Sequence, residues 1–107
     1  MAWPFTTISA PNVDSGVVSL PASLTNVPNS PGAATTGWLL GIHLENTTGA
    51  SVTVTLQDGN AAQVLSSMVL GANEVKILAW EFLPVVGVLQ WSCSSASAVN
   101  AKLWGYV

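Results

Sequence analysis

The one histidine of this 107-residue chain, His43, is where a search for chemistry begins. In a strand, residues i and i+2 share a face, so His43 and Glu45 can stand side by side. Nucleophilic catalysis needs a base beside a Ser or Cys, held by a third group. Nothing in the sequence supplies that set, and no G-x-S-x-G element occurs. The two residues therefore read as a solvated pair on an outer strand face. Glycoside hydrolysis needs two opposed carboxylates. The five acidic residues are scattered, with Asp58 and Glu74 in or beside turns. Asp58-Gly59-Asn60 is a turn signal that lacks the further ligands of a calcium loop. Cys93 has no partner for an internal disulfide and reads as a small buried residue at the end of an apolar strand. One His and one Cys exclude most protein-built zinc sites. The expectation is a chain with no catalytic residues, cofactor or metal, and hence not an enzyme.

Charge narrows the partners. Two Lys, no Arg and a net charge of −3 give phosphates nothing to bind, so nucleic acid is excluded. Half of the residues are hydrophobic and 7% are charged. No apolar run approaches the roughly 20 residues of a membrane helix. The longest candidate, residues 82–89, is broken by Pro84 and Gly87. The opening MAWPFTTISAPNV has neither the basic nor the long apolar region of a secretory signal. So little charge implies apolar surface that is normally covered by partners.

Aromatic residues are the candidates for that surface. Of the five tryptophans, Trp38 and Trp91 read as core. Trp80 shares its strand phase with Lys76, and Trp104 shares its phase with Lys102. A face carrying Lys is normally wet, so these two indoles suggest an interface anchor or a sugar-stacking platform, the latter with Tyr106 and with Asn100 as polar partner.

The elements that position these residues are strands. Residues 38–58, WLLGIHLENTTGASVTVTLQD, predict a β-hairpin: Leu40, Ile42 and Leu44 alternate with Gly41, His43 and Glu45, and Val52, Val54 and Leu56 alternate with Ser51, Thr53 and Thr55. Asn46 to Ala50 forms the loop. Strands are also expected over residues 64–70, 74–80 (ended by Phe82-Leu83-Pro84), 86–93 and 98–107, the last with Val99, Ala101, Leu103 and Val107 opposing Asn100, Lys102, Trp104 and Tyr106. Turns recur about every ten residues and no segment reads as helix. The predicted fold is all-β, a single antiparallel sandwich, jelly-roll-like, with an extended N-terminal arm. Residues 1–36 hold five of the six prolines and form the arm and a first short strand at residues 16–20; residues 37–107 form the sandwich body. In the arm, Trp3 and Phe5 share one side and Ile8 lies near. The arm either folds back on its own core or reaches a neighbouring subunit, with Trp3 as first anchor.

The turn-rich opening, the run GWLLGIHLENTTGASVTVTLQDG and the closing Gly105-Tyr106-Val107 resemble the small β-sandwich head-decoration (cement) proteins of tailed bacteriophages, over roughly residues 37–107. The resemblance implies a non-enzymatic virion protein, made in the host cytoplasm and placed on the capsid surface. It also implies a homo-oligomer, most often a trimer, bound to the major capsid protein at subunit junctions. It carries no catalytic or ligand residue with it. The interface residues expected from the sequence are Trp3, Phe5, Ile8, Trp80, Trp104 and Tyr106. The alternative is a carbohydrate-binding or lectin-like protein that stacks sugar on Trp104 and Tyr106.

Overall fold

The computed structural model describes residues 13–30, 36–59 and 63–106. Nine strands run through them: β1 (Val13–Asp14), β2 (Val18–Ser19), β3 (Thr25–Asn26), β4 (Thr36–Asn46), β5 (Val52–Asp58), β6 (Gln63–Leu70), β7 (Val75–Val86), β8 (Leu89–Cys93) and β9 (Val99–Tyr106). All pairs are antiparallel and build two packed sheets. One sheet has five strands in the order β1-β9-β4-β7, with β2 also on β9; the other has four, β3-β8-β5-β6. None of the described residues forms a helix long and apolar enough to cross a membrane.

This order has a simple origin. β5 pairs β6, β4 pairs β7, β3 pairs β8 and β2 pairs β9, so the strands follow one long hairpin folded between β5 and β6 and then rolled into two layers. That is the jelly-roll arrangement, which lets consecutive strands alternate between sheets. Residues 38–58 are therefore not a hairpin. β4 and β5 lie in opposite sheets, and residues 47–51 arch from one layer to the other. A hairpin would set both dry faces side by side with nothing over them. The arch instead turns Ile42 and Leu44 of β4 toward the same core as Val54 and Leu56 of β5, all four fully buried.

The arch is held by Asn46, which is 1% exposed. Its Nδ2 donates to the carbonyls of Ala50 and Gly71, each at 2.8 Å. Its Oδ1 accepts from the Thr48 N–H at 2.9 Å and from the Thr48 hydroxyl at 2.8 Å. One buried amide thus satisfies backbone from two separate crossings between the sheets.

A register shift between Leu39 and Gly41 changes the phase of β4. The inward residues are Leu39, Ile42 and Leu44, not Leu40, Ile42 and Leu44, and Trp38 faces outward at 43% exposure instead of filling the core. β7 does not end at residues 82–84. It runs on through Pro84, which pairs with Trp38 on the edge of the sheet, where a missing N–H is tolerated. β8 buries Leu89, Trp91 and Cys93, and β9 buries Val99, Ala101 and Leu103, as their alternation predicts.

The first segment lies on the body. β1 and β2 flank β9, and β3 flanks β8. The Leu20 N–H donates to Val99 O and the Cys93 N–H to Pro21 O where the segment passes from one sheet to the other. Of the expected arm, residues 13–30 thus bond to their own sandwich. Trp3, Phe5 and Ile8 lie outside the described residues.

Candidate functional site

The outward faces of the two sheets differ in chemistry. On the four-stranded sheet, Thr53, Thr55, Gln57, Ser67, Gln90 and Ser92 share the outer register, interrupted by Val64 and Val69. On the five-stranded sheet, three strands set their outward side chains in cross-strand rows. Tyr106, Trp38 and Pro84 form one row; Trp104, Gly41 and Ala79 another; Lys102, His43 and Ile77 a third; Asn100, Glu45 and Val75 the last. Val75 is 53% and Ile77 61% exposed. This face is mostly aromatic and aliphatic, broad and without a deep recess.

Trp104 reaches this face as its alternation predicts, and Gly41 decides how it lies. A Cβ at Gly41 would run into the indole of Trp104, with Cε2 at 2.8 Å, so the ring rests on bare β4 backbone and stays half-exposed. Gly105 does the same service one residue on: a side chain there would strike the Trp38 carbonyl. Tyr106 sits half-exposed beside Trp38.

Trp80 does not join them. It packs against the core cluster together with Leu78, while Val75, Ile77 and Ala79 face outward. The phase shared with Lys76 misleads because β7 is an edge strand. Lys76 starts inward and carries its ammonium round the edge to the Val69 carbonyl at 3.3 Å.

Charge on the face is sparse and locally balanced. Lys102 Nζ meets Asp14 Oδ2 at 3.3 Å, both side chains about half exposed, at 44% and 46%. The Gly16 N–H donates to Asp14 Oδ1 at 2.8 Å. That bond above all holds the Asp14 carboxyl below the usual carboxylate range; burial opposes it, and the hydrogen bond and charge of Lys102 add to it. His43 and Glu45 stand on the same face, two residues apart, both half-buried. Among the described residues no three His, Cys, Asp or Glu side chains converge as metal ligands would.

At one end of the sandwich this face meets a shallow apolar notch of about 10 Å³, room for about one water molecule. Val13, Val85, Leu89 and Leu103 line it, flanked by Trp38 and Tyr106. Trp38 was hidden from sequence reasoning by the shift in β4; the notch had no local signal, because its walls come from five strands. Compared with known protein families and with curated proteins, the chain matches none.

Proposed function

We propose that this chain is a non-enzymatic structural protein of a virion. In this reading it is a capsid decoration, or cement, protein of a tailed bacteriophage that binds outside the head and stabilises junctions between major capsid subunits. The observation that carries the proposal is the contrast between the two sheet faces: one has hydroxyl and amide side chains interrupted by Val64 and Val69, while the other adds the aromatic rings of Trp38, Trp104 and Tyr106 to the exposed Ile77 and Val75. Single exposed hydrophobics are unremarkable, but a face on which they fill cross-strand rows is suited to a protein partner. Jelly rolls serve in shell proteins and lectins alike, so the fold alone selects neither.

Size supports an assembly with more than one contact. Four strands about 4.8 Å apart and eight residues long offer a face of roughly 500 Å². A stable interface takes about 800 Å² from each partner. The apolar residues Trp3, Phe5 and Ile8 of the arm can supply the difference by running along a neighbour, and a homotrimer on the capsid surface provides such neighbours. Trp80, packed on its own core, is not part of this interface.

The alternative, a lectin-like virion protein, is favoured by one feature: Trp104, Tyr106 and Trp38 cluster on open sheet with Asn100 along the same strand. Mixing the protein with heads assembled from the major capsid protein of the same genome separates the two. Co-sedimentation in fixed stoichiometry, with heads more resistant to heat, supports decoration. Binding to soluble oligosaccharides without binding to heads supports the lectin.

A further inference from the structure

β7 closes the five-stranded sheet on one side, and no strand of the described residues lies beyond it. The direction of its free backbone groups follows from one bond: the Asn46 N–H donates to the Glu74 carbonyl at 2.9 Å. From there the pairing with β4 runs without irregularity to Gly41 opposite Ala79. In an antiparallel pair alternate residues turn their backbone groups to the partner, so Glu74, Lys76 and Leu78 face β4. Val75, Ile77 and Ala79 direct their N–H and C=O groups away from it, along an open edge. The side chains of this stretch are incompletely covered too. Val75 and Ile77 stand out on the outer face, and Leu78 and Trp80, though packed on the core, stay half-buried, as does Leu65 of β6. The opposite side of the sandwich is closed: there residues 13–30 lie along β9 and β8, with Val13, Leu20 and Val27 buried. Sheet edges are normally guarded by shortness, proline, bulges or lysine. β1, β2 and β3 have two residues each. On β6 the Lys76 ammonium takes the Val69 carbonyl at 3.3 Å, and the pairing with β5 shifts register between Leu56 and Gln57. Residues 75–79 of β7 have no proline and no shift, and their one charge, Lys76, is turned onto β6.

We infer that this edge is a strand-pairing site and that its occupant is the same edge of a second copy, β7 against β7 in the antiparallel sense. Centred on Ile77, the pairing sets each copy's Val75 opposite the other's Ala79 and the two Ile77 residues opposite each other. Val75, Ile77 and Ala79 then each exchange an N–H and a C=O bond with the residue opposite. The β-branched Val75 and Ile77 suit such cross-strand contact, and within residues 74–80 no charge stands opposite a like charge. A second copy is the occupant that the proposed binding face calls for. One outer face of roughly 500 Å² falls short of the about 800 Å² that a stable interface takes, and pairing at β7 makes two such faces continuous, roughly 1,000 Å² in all. For that choice the inference rests on the proposed function. The contact is two-fold, so on a head it links one trimer to the next and does not itself build the trimer.

The test is sedimentation of the full-length protein across a wide concentration range, with no capsid present. The wild type should pass from monomer to dimer as concentration rises. Ile77→Pro removes an N–H that its own sheet does not use, so its melting curve should stay near that of the wild type while association weakens roughly tenfold or more. Val69→Pro, the matching change on the edge of β6, should leave association as it is. Ile77→Cys gives a second readout, which decides the matter if the proline variant fails to fold. Directly opposed Cα atoms about 5.5 Å apart lie within disulfide range, so mild oxidation should give a covalent dimer, while Val69→Cys should give none. The native Cys93 is buried and does not interfere. Unchanged association in a folded Ile77→Pro, loss in Val69→Pro alone, or no covalent dimer from Ile77→Cys would overturn the inference. So would a wild type that is monomeric at every concentration; if Ile77→Pro then also fails to bind heads, the edge takes a strand of the capsid protein and not a second copy. A dimer that forms as expected and does not bind heads counts against the proposed function alone.

Discussion

Asn46 makes the sharpest prediction about how the fold is held. Asn46→Ala removes four short hydrogen bonds, at 2.8–2.9 Å, from a site that is 1% exposed. It leaves the Ala50 carbonyl with the 3.2 Å bond from the Thr48 hydroxyl and the Gly71 carbonyl with the 3.1 Å bond from the Glu74 N–H. A net contribution of about 0.5–1.5 kcal/mol per bond, applied to four bonds that share one residue, gives a loss of about 3 kcal/mol. That is a large fraction of the roughly 5–15 kcal/mol that stabilises a domain of this size. Thermal melting followed by circular dichroism should show a midpoint lower by roughly 12–24 °C. Asn46→Asp sharpens the test. It keeps the acceptors for Thr48 but turns a carboxylate toward two carbonyls, so it should be worse than Ala at neutral pH and recover partly in acid, when the protonated group can donate once. A loss below about 1 kcal/mol in Asn46→Ala would refute the view that one amide fastens both crossings.

Gly41→Ala should cost about 1–3 kcal/mol through the clash with Trp104, and should shift the tryptophan emission as that ring is lifted into water. Asp14→Asn should destabilise the protein at neutral pH. Because the folded carboxyl titrates below its unfolded value, near 3.9, its stabilisation is complete above that pH and drains away as pH falls through the lower folded value. The difference between wild type and Asp14→Asn in urea titrations should therefore shrink steadily below about pH 4.

Much of the layer structure was legible because it is written in period two. The Val99-Ala101-Leu103 and Leu89-Trp91-Cys93 alternations point inward as read, and Trp104 and Tyr106 point outward. What alternation cannot report is which strand lies beside which. β4 and β5 have the pattern of a hairpin, yet the same pattern serves two strands that face each other across a core. Phase fails at irregularities: the shift between Leu39 and Gly41 turned Trp38 from expected core to exposed face. It fails also at edges, where Lys76 points inward and escapes, so that its neighbour Trp80 was placed on the wrong side. Asn46 read as a loop residue because Asn favours turns; that its amide would reach Gly71, 25 residues on, is a tertiary fact with no local trace.

The proposed function places the binding face on the five-stranded sheet. Ile77 and Val69 allow a matched comparison: both are 61% exposed, both sit on edge strands, and they lie on opposite outer faces. Binding of Ile77→Lys and Val69→Lys to heads assembled from the major capsid protein should be measured by co-sedimentation beside the wild type. The prediction is that Ile77→Lys fails to decorate while Val69→Lys binds as the wild type does. Equal binding by both variants, or loss in Val69→Lys alone, would contradict the assignment of that face.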